Sequence, residues 1–234
     1  MRLVMFHPVD HPLKRGWVGR IEGEHVIQLA AQTLQAFFTG GGTAREHAVF
    51  PRTGVQLLAP VLHPPSVRVF DDQRTFGFAN PAAIVGPGAS VGKSPSDTEP
   101  QGGLGLLPRV AGMIGSDEEV AGFTVLAEWR ATGVRPPKDR DFALGLGPLV
   151  VTADELAANV LELLVRVDGD ERLRARFDGF DWEAARALAA DGTTLRAGDL
   201  LAGPSPGIVR DLVPGSSVDV EVDGIGVLSQ IVAS

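Results

Sequence analysis

Thr194–Leu228 reads TLRAGDLLAGPSPGIVRDLVPGSSVDVEVDGIGVL. Two Leu-x-x-Gly turns, Leu195–Gly198 and Leu212–Gly215, each precede a strand-like run. Between them, Gly203-Pro204-Ser205-Pro206-Gly207 is too rich in Gly and Pro for helix or strand. Val218–Val222 alternates apolar and polar residues, as a half-buried strand does. Asp223-Gly224-Ile225-Gly226 follows as a tight turn, because Asp-Gly supplies the positive φ a hairpin needs. A Gly-rich loop held between strands lets a small ligand approach the backbone, although turning a corner is its commoner use.

Outward from this stretch, composition sets the bounds. The chain has 234 residues, which suits one domain or one domain with a small appendage. Hydrophobic residues make up 44%, enough for a sizeable core and too many for a disordered chain. The net charge of −8, with no basic cluster, argues against nucleic acid and against anionic membrane surfaces as partners. Cysteine and tyrosine are both absent, so thiolate nucleophiles, disulfides and phenolic acid–base chemistry are excluded. No apolar run reaches the roughly 20 residues a bilayer span needs. The opening MRLVMFHPVDHPLKRG lacks the segments of a secretory leader, so a soluble cytosolic protein is expected.

In chain order, Met1–Phe6 reads as a strand, and Trp17–Ile21 with His25–Leu29 as a hairpin about Glu22-Gly23-Glu24. Ala30–Phe38 has helical spacing and is ended by Gly40-Gly41-Gly42. Val55–Val61 and Val67–Phe70 flank a Pro64-Pro65 break. Ser94–Gly105 is a polar, Pro- and Gly-rich loop, followed by the strand-like Leu106–Ile114. Ser116–Val120 suits a turn or cap, and Gly122–Leu126 a strand. Val160–Asp168 reads as a strand, Asp168-Gly169-Asp170 as a turn, and Trp182–Ala190 as an amphipathic helix opened by Asp181.

These residues resemble the fumarylacetoacetate hydrolase family. Its C-terminal core runs roughly leucine-x-proline-glycine-aspartate, a Gly-Thr-Pro-x-Gly-Val loop, a Gly-Asp turn, a strand and Gly-Ile-Gly-x-Leu. Leu195, Gly198, Asp199, Gly203, Gly207, Gly215, Gly224, Ile225, Gly226 and Leu228 match it, while Pro204 replaces the loop threonine. VQLLAPVLHPPSV at Val55–Val67 resembles the family's passage from a small N-terminal domain to its main domain. Lys138, Asp141 and Gly147-Pro148 match a second signature. The resemblance implies an α+β, mostly β fold: a β-roll core of mixed sheets at 66–234 behind a small N-terminal domain at 1–65. It also implies a homodimer.

Enzymes of this family, many in the catabolism of aromatic compounds, hold Mg²⁺ or Mn²⁺ on a Glu-x-Glu pair and a third carboxylate. The ion acts as a Lewis acid on a dioxo-type substrate. A lysine stabilises the developing enolate. By the resemblance, Glu-x-Glu falls at Leu107-Pro108-Arg109, where no carboxylate stands and Arg109 would repel a cation. The third carboxylate falls at Glu128, which leaves metal binding expected to be weak or absent there. The family's histidine motif is shortened to FDDQRTF at Phe70–Phe76 and contains no histidine. Lys138 and Glu128 are therefore the candidate catalytic residues, and Asp141, Gly203 and Gly207 the candidate substrate contacts. Each has an ordinary alternative: a solvated charged loop for Lys138 and Asp141, a surface carboxylate for Glu128, and turns for the glycines. His7, Asp10 and His11 have spacing that zinc could use, but in a Pro-rich loop they read better as a chance cluster. Asp97 and Glu99 form a displaced carboxylate pair between Pro95 and Pro100.

Two functions follow. One is a hydrolase, isomerase or decarboxylase acting on a small oxo or dioxo organic acid through an enolate. The other is a non-catalytic relative with a degenerate metal site that serves in ligand binding or interaction. Fold does not decide between them.

Overall fold

A computed structural model describes residues 1–92, 103–156 and 160–234. Strands β1 (Arg2–Pro8), β2 (Trp17–Glu22) and β3 (His25–Leu29) are followed by helix α1 (Leu34–Thr39), then β4 (Glu46–Pro51) and β5 (Val55–Leu58). β6 (Val67–Phe70), β7 (Phe76–Ala79), β8 (Ile84–Val85) and β9 (Ser90–Val91) lead to the long strands β10 (Leu104–Ile114) and β11 (Val120–Ala131). β12 (Leu144–Thr152), β13 (Val160–Val167) and β14 (Asp170–Asp178) precede helix α2 (Trp182–Ala190). β15 (Leu200–Ala202), β16 (Val209–Leu212), β17 (Ser217–Val222) and β18 (Gly226–Val232) follow it. The class is mostly β with two short helices among the described residues, as anticipated.

One sheet runs β4-β3-β2-β1-β12-β11-β10-β15-β6-β7, with β5 on β1, β8 on β12 and β16 on β10. The second runs β14-β13-β17-β18-β9. Both are mixed: β15–β6, β12–β8 and β18–β9 are parallel among antiparallel neighbours. The 1–65/66–234 division falls between β5 and β6, and strand pairing runs across it, with Arg2 opposite Val151 and Leu3 opposite Val150.

Strand periodicity explains the packing of the long hairpin. On β10, Leu104, Leu106 and Val110 point into one apolar cluster, while Ala111 and Met113 point into the other. On β11, Val125, Ala127 and Trp129 join the first cluster and Leu126 the second. Both faces are covered, so this hairpin is buried almost end to end. The second sheet packs on the first cluster through Leu161, Leu163, Val165, Val218, Val220 and Val222. Its alternate residues Asp219 and Glu221 are only half-buried. Between the sheets, Trp129 Nε1 donates to Gln230 Oε1 at 2.8 Å, so the indole N–H is satisfied inside the core.

The turns that organise 194–228 take their expected places. The two Leu-x-x-Gly turns lead into β15 and β17, and Gly198 and Gly215 both adopt positive φ. Buried Asp199 holds its turn by accepting from Arg196 N and from Ser66 Oγ, each at 2.7 Å. The helix expected over Ala30–Phe38 is shorter, because Thr33 caps it: Thr33 Oγ1 accepts from Ala36 N at 3.0 Å. β4, β7, β8, β9, β12, β14 and β16 were not anticipated; β4 is an exposed edge strand without an apolar face to reveal it.

Candidate functional site

The buried charge of this molecule gathers where β10 and β11 run side by side. Arg109 lies opposite Leu126, and Leu107 opposite Glu128. The period of 2 therefore puts Arg109 diagonally across from Glu128 on the same sheet face. Arg109 Nε donates to Glu128 Oε2 at 2.8 Å, with the two side chains 2% and 1% exposed. Arg109 Nη1 donates to two carbonyls, Phe70 O and Gly203 O, each at 2.9 Å. One guanidinium thus ties together β10, β11, the end of β6 and the loop after β15. Burial pushes the Arg109 guanidinium below its ordinary value, and the Glu128 charge opposes that push.

The pair continues outward with alternating sign. Arg130 shares Glu128's face two residues on, and its Nη2 is 2.8 Å from Glu128 Oε1. That distance makes an ion pair without hydrogen-bond alignment, and Oε1 accepts no hydrogen bond from the described residues. Arg130 Nη1 donates to Asp139 Oδ2 at 2.8 Å, and Arg140 Nε lies 3.7 Å from Asp139 Oδ1. Glu128 is therefore flanked by guanidinium groups on both oxygens.

Gly203 closes this centre from the other side. Its N–H donates to Val110 O at 2.9 Å and its carbonyl accepts from Arg109, so the loop backbone is pinned twice to β10. A Cβ at Gly203 would lie 2.7 Å from Phe177 Cζ, so only glycine fits. Phe177 belongs to an aromatic group in which Phe180 meets Phe70 at 5.5 Å, Phe177 at 5.9 Å and Trp182 at 4.9 Å. Phe70, Phe177 and Phe180 are all buried. Gly207 sits apart from the charged centre: a Cβ there would meet Leu173 Cδ1 at 2.7 Å, and its carbonyl accepts from Ser205 Oγ.

Lys138 and Asp141 form their own pair in the loop before β12, with Lys138 Nζ 2.8 Å from Asp141 Oδ2. The Lys138 side chain is 67% exposed, and among the described residues no ion pair or hydrogen bond joins it to Glu128. Asn80 donates to the Asp141 carbonyl at 2.9 Å and fixes this loop to the 3-10 turn after β7. The structure therefore brings Glu128 and Gly203 together through Arg109, and leaves Lys138, Asp141 and Gly207 elsewhere. His7 is buried with Nδ1 at Pro8 O, while Asp10 and His11 are exposed. Asp97, Glu99 and most of the 94–105 loop lie outside the described residues.

Among the described residues no group of three His, Cys, Asp or Glu side chains gathers to hold a metal. The donor set at Glu128 does not fit Mg²⁺ or Mn²⁺. Such an ion prefers about six oxygen ligands. Here the Glu128 carboxylate and the Phe70 and Gly203 carbonyls already accept from one permanent cation.

Sequence reasoning located Arg109 and Glu128 but not their pairing, although the register of a β-hairpin would have predicted it. Arg130 was legible by the same period of 2. Asp139, Phe177 and Phe180 carried no local signal, because they reach the centre from distant parts of the chain.

A mixed β-roll with its charged centre on β10, β11 and the post-β15 loop defines a class of fold. The sequence model of the fumarylacetoacetate (FAA) hydrolase C-terminal domain matches residues 63–233, and the chain belongs to that family. Solved structures agree in fold. Maleylpyruvate hydrolase from Sphingobium sp. SYK-6 superposes with a TM-score of 0.80 at 22% identity, covering 100% of this chain and 99% of that one. Fumarylacetoacetate hydrolase from Exiguobacterium antarcticum gives 0.82 at 21% identity, with the same coverage. 5-Carboxymethyl-2-hydroxymuconate delta-isomerase from Mycobacterium smegmatis gives 0.80 at 23% identity, again covering 100% and 99%. A search of curated proteins returns no significant match.

Proposed function

We propose that this chain is a family member with a degenerate metal site, in which a buried ion pair has taken the place of metal-dependent enolate chemistry. Its role is then to bind a small organic acid rather than to transform it. The observation that carries this reading is Arg109 Nε on Glu128 Oε2, with the same guanidinium on the Phe70 and Gly203 carbonyls. A divalent ion placed among these oxygens would meet a positive charge that protein pH does not remove. A further solved structure of maleylpyruvate hydrolase from Sphingobium sp. SYK-6, 22% identical with a TM-score of 0.79, is of its complex with manganese(II) ion and pyruvate. The resemblance would place the corresponding ligands here at Leu107, Arg109 and Glu128, of which one carries a carboxylate.

Lys138 supports the same reading. Its amine is paired with Asp141 in a solvent-exposed position, where water screens its charge. Glu128, bound by Arg109 and flanked by Arg130, acts as a structural anion rather than a proton carrier. In this reading the chain works as a homodimer and engages neither nucleic acid nor membrane.

The test is calorimetric titration of the full chain with Mn²⁺, together with an assay of β-diketo acid hydrolysis and oxo acid decarboxylation in Mg²⁺ or Mn²⁺. No saturable ion binding and no metal-dependent turnover are expected. Stoichiometric binding or turnover that Glu128→Ala abolishes overturns the proposal and restores the enzyme reading.

A further inference from the structure

A cavity of about 540 Å³ opens away from the Arg109–Glu128 centre, where β1, β2 and β5 approach the β17–β18 turn. Apolar walls from Leu57, Pro87, Pro148, Leu149 and Ile225 are joined by the polar Gln56 and Ser229. Two arginines line it, Arg2 from the start of β1 and Arg52 from the short turn before β5. Among the described residues no Asp or Glu lines it.

The charges around it are distributed unequally. Arg20 takes Glu22 and Glu46, each at 2.6 Å, and the N-terminal amine takes Glu155 at 2.7 Å. Among the described residues Arg2 and Arg52 have no carboxylate partner, in a chain with 29 acidic and 21 basic side chains. Arg2 is nevertheless held in place, because Nη2 donates to the Gly224 carbonyl at 3.2 Å. Arg52 is held through its backbone N–H, which donates to Glu24 O at 2.8 Å. Ligand pockets of small molecules typically span about 300–1,000 Å³, with apolar walls and a few placed polar groups.

We infer that this groove binds an aromatic or branched aliphatic carboxylate. The apolar body lies on Leu57, Pro148, Leu149 and Ile225, and the carboxylate accepts from Arg2 and Arg52. The planar guanidinium fork matches a carboxylate better than it matches a spherical anion. This inference names the ligand class for the binding role proposed above, at a site separate from the closed centre.

The experiment is calorimetric titration of the full chain with phenylacetate and with its neutral counterpart phenylacetamide. Saturable one-to-one binding of phenylacetate is expected, weakened by added salt. The double variant Arg2→Gln/Arg52→Gln, checked for folding by circular dichroism, should bind at least about tenfold more weakly, the loss of a charge-assisted hydrogen bond. Equal binding of phenylacetamide, unchanged affinity in the double variant, or no saturable binding overturns the inference. So does a dimer, seen by light scattering, that the double variant dissociates, because the groove is then a subunit interface. Mn²⁺ binding alongside phenylacetate binding would remove the proposed function and leave the groove. Failure of phenylacetate alone would do the reverse.

Discussion

Two acid–base pairs of the same chemistry sit in opposite surroundings in this protein. Arg109–Glu128 is enclosed between two apolar clusters, and its members are 2% and 1% exposed. Lys138–Asp141 lies in a loop, its members 67% and 24% exposed, with a similar 2.8 Å separation. Distance alone therefore ranks them equal, while environment separates them. In the buried pair each charge depends on the other, because water cannot replace the lost partner. In the exposed pair water replaces either partner, and salt screens what remains. The buried pair thus carries the larger energetic weight, and the exposed pair the smaller.

The comparison is broken most strongly at the buried pair. Arg109→Met or Glu128→Leu alone should cost about 3–5 kcal/mol in urea unfolding, because each leaves an uncompensated buried charge. The double variant Arg109→Met/Glu128→Leu should recover part of that loss, the remainder being the Phe70 and Gly203 carbonyls left without their Arg109 donor. Arg130, half-buried and still paired with Asp139, can keep its head toward solvent. Additive single costs in the double variant would refute coupling through the ion pair.

The same experiment at the loop should produce a much smaller effect. Lys138→Ala and Asp141→Ala should each change stability by no more than about 1 kcal/mol, declining further in high salt. A larger loss at Lys138 would return it to the list of residues that organise a site.

The smallest expected effect is a pH dependence at a third carboxylate. Asp168, in the β13–β14 turn, accepts from the Ser217 backbone N–H at the start of β17 at 2.8 Å, and that bond holds its carboxyl below the ordinary range. A lowered folded-state value stabilises the protein above the unfolded-state value, and the contribution is lost as pH falls through the folded value. Asp168→Asn should therefore lower the melting temperature near neutral pH and converge with the parent in acid. Asparagine tolerates the positive φ of 53° there, so backbone strain does not confuse the measurement. A difference that persists unchanged into acid would assign the effect to something other than ionisation.

The scaffold was largely legible beforehand because its signals are local. Gly198, Gly215 and Gly224 mark turns by backbone freedom, Asp181 caps α2, and alternation in Val218–Val222 marks a half-buried strand. α1 was overextended because apolar spacing runs past the Thr33 cap. β4 was missed because an exposed edge strand needs no apolar face.

The candidate site was legible only in part. Glu128 and Arg109 were recognisable by position, and Arg109 as a charge hostile to a cation. Whether Arg109 would turn outward or lie on Glu128 depended on the register Arg109–Leu126 and on the apolar layers covering both sheet faces. Gly203 could be assigned to a turn from composition, but its contact with Phe177 required α2 and β14 to fold over it.

The resemblance implied the mixed β fold, and residue types with their spacing were enough to specify the turns of 194–228 and the alternating strand Val218–Val222. Those features arise from backbone preference and side-chain alternation, which act over a few residues. The enclosed ion pair, the exposure of Lys138 and the groove holding Arg2 and Arg52 were decided by tertiary packing. Partner choice and solvent access depend on distant segments meeting, and the energy of a charge depends on what surrounds it rather than on its neighbours along the chain.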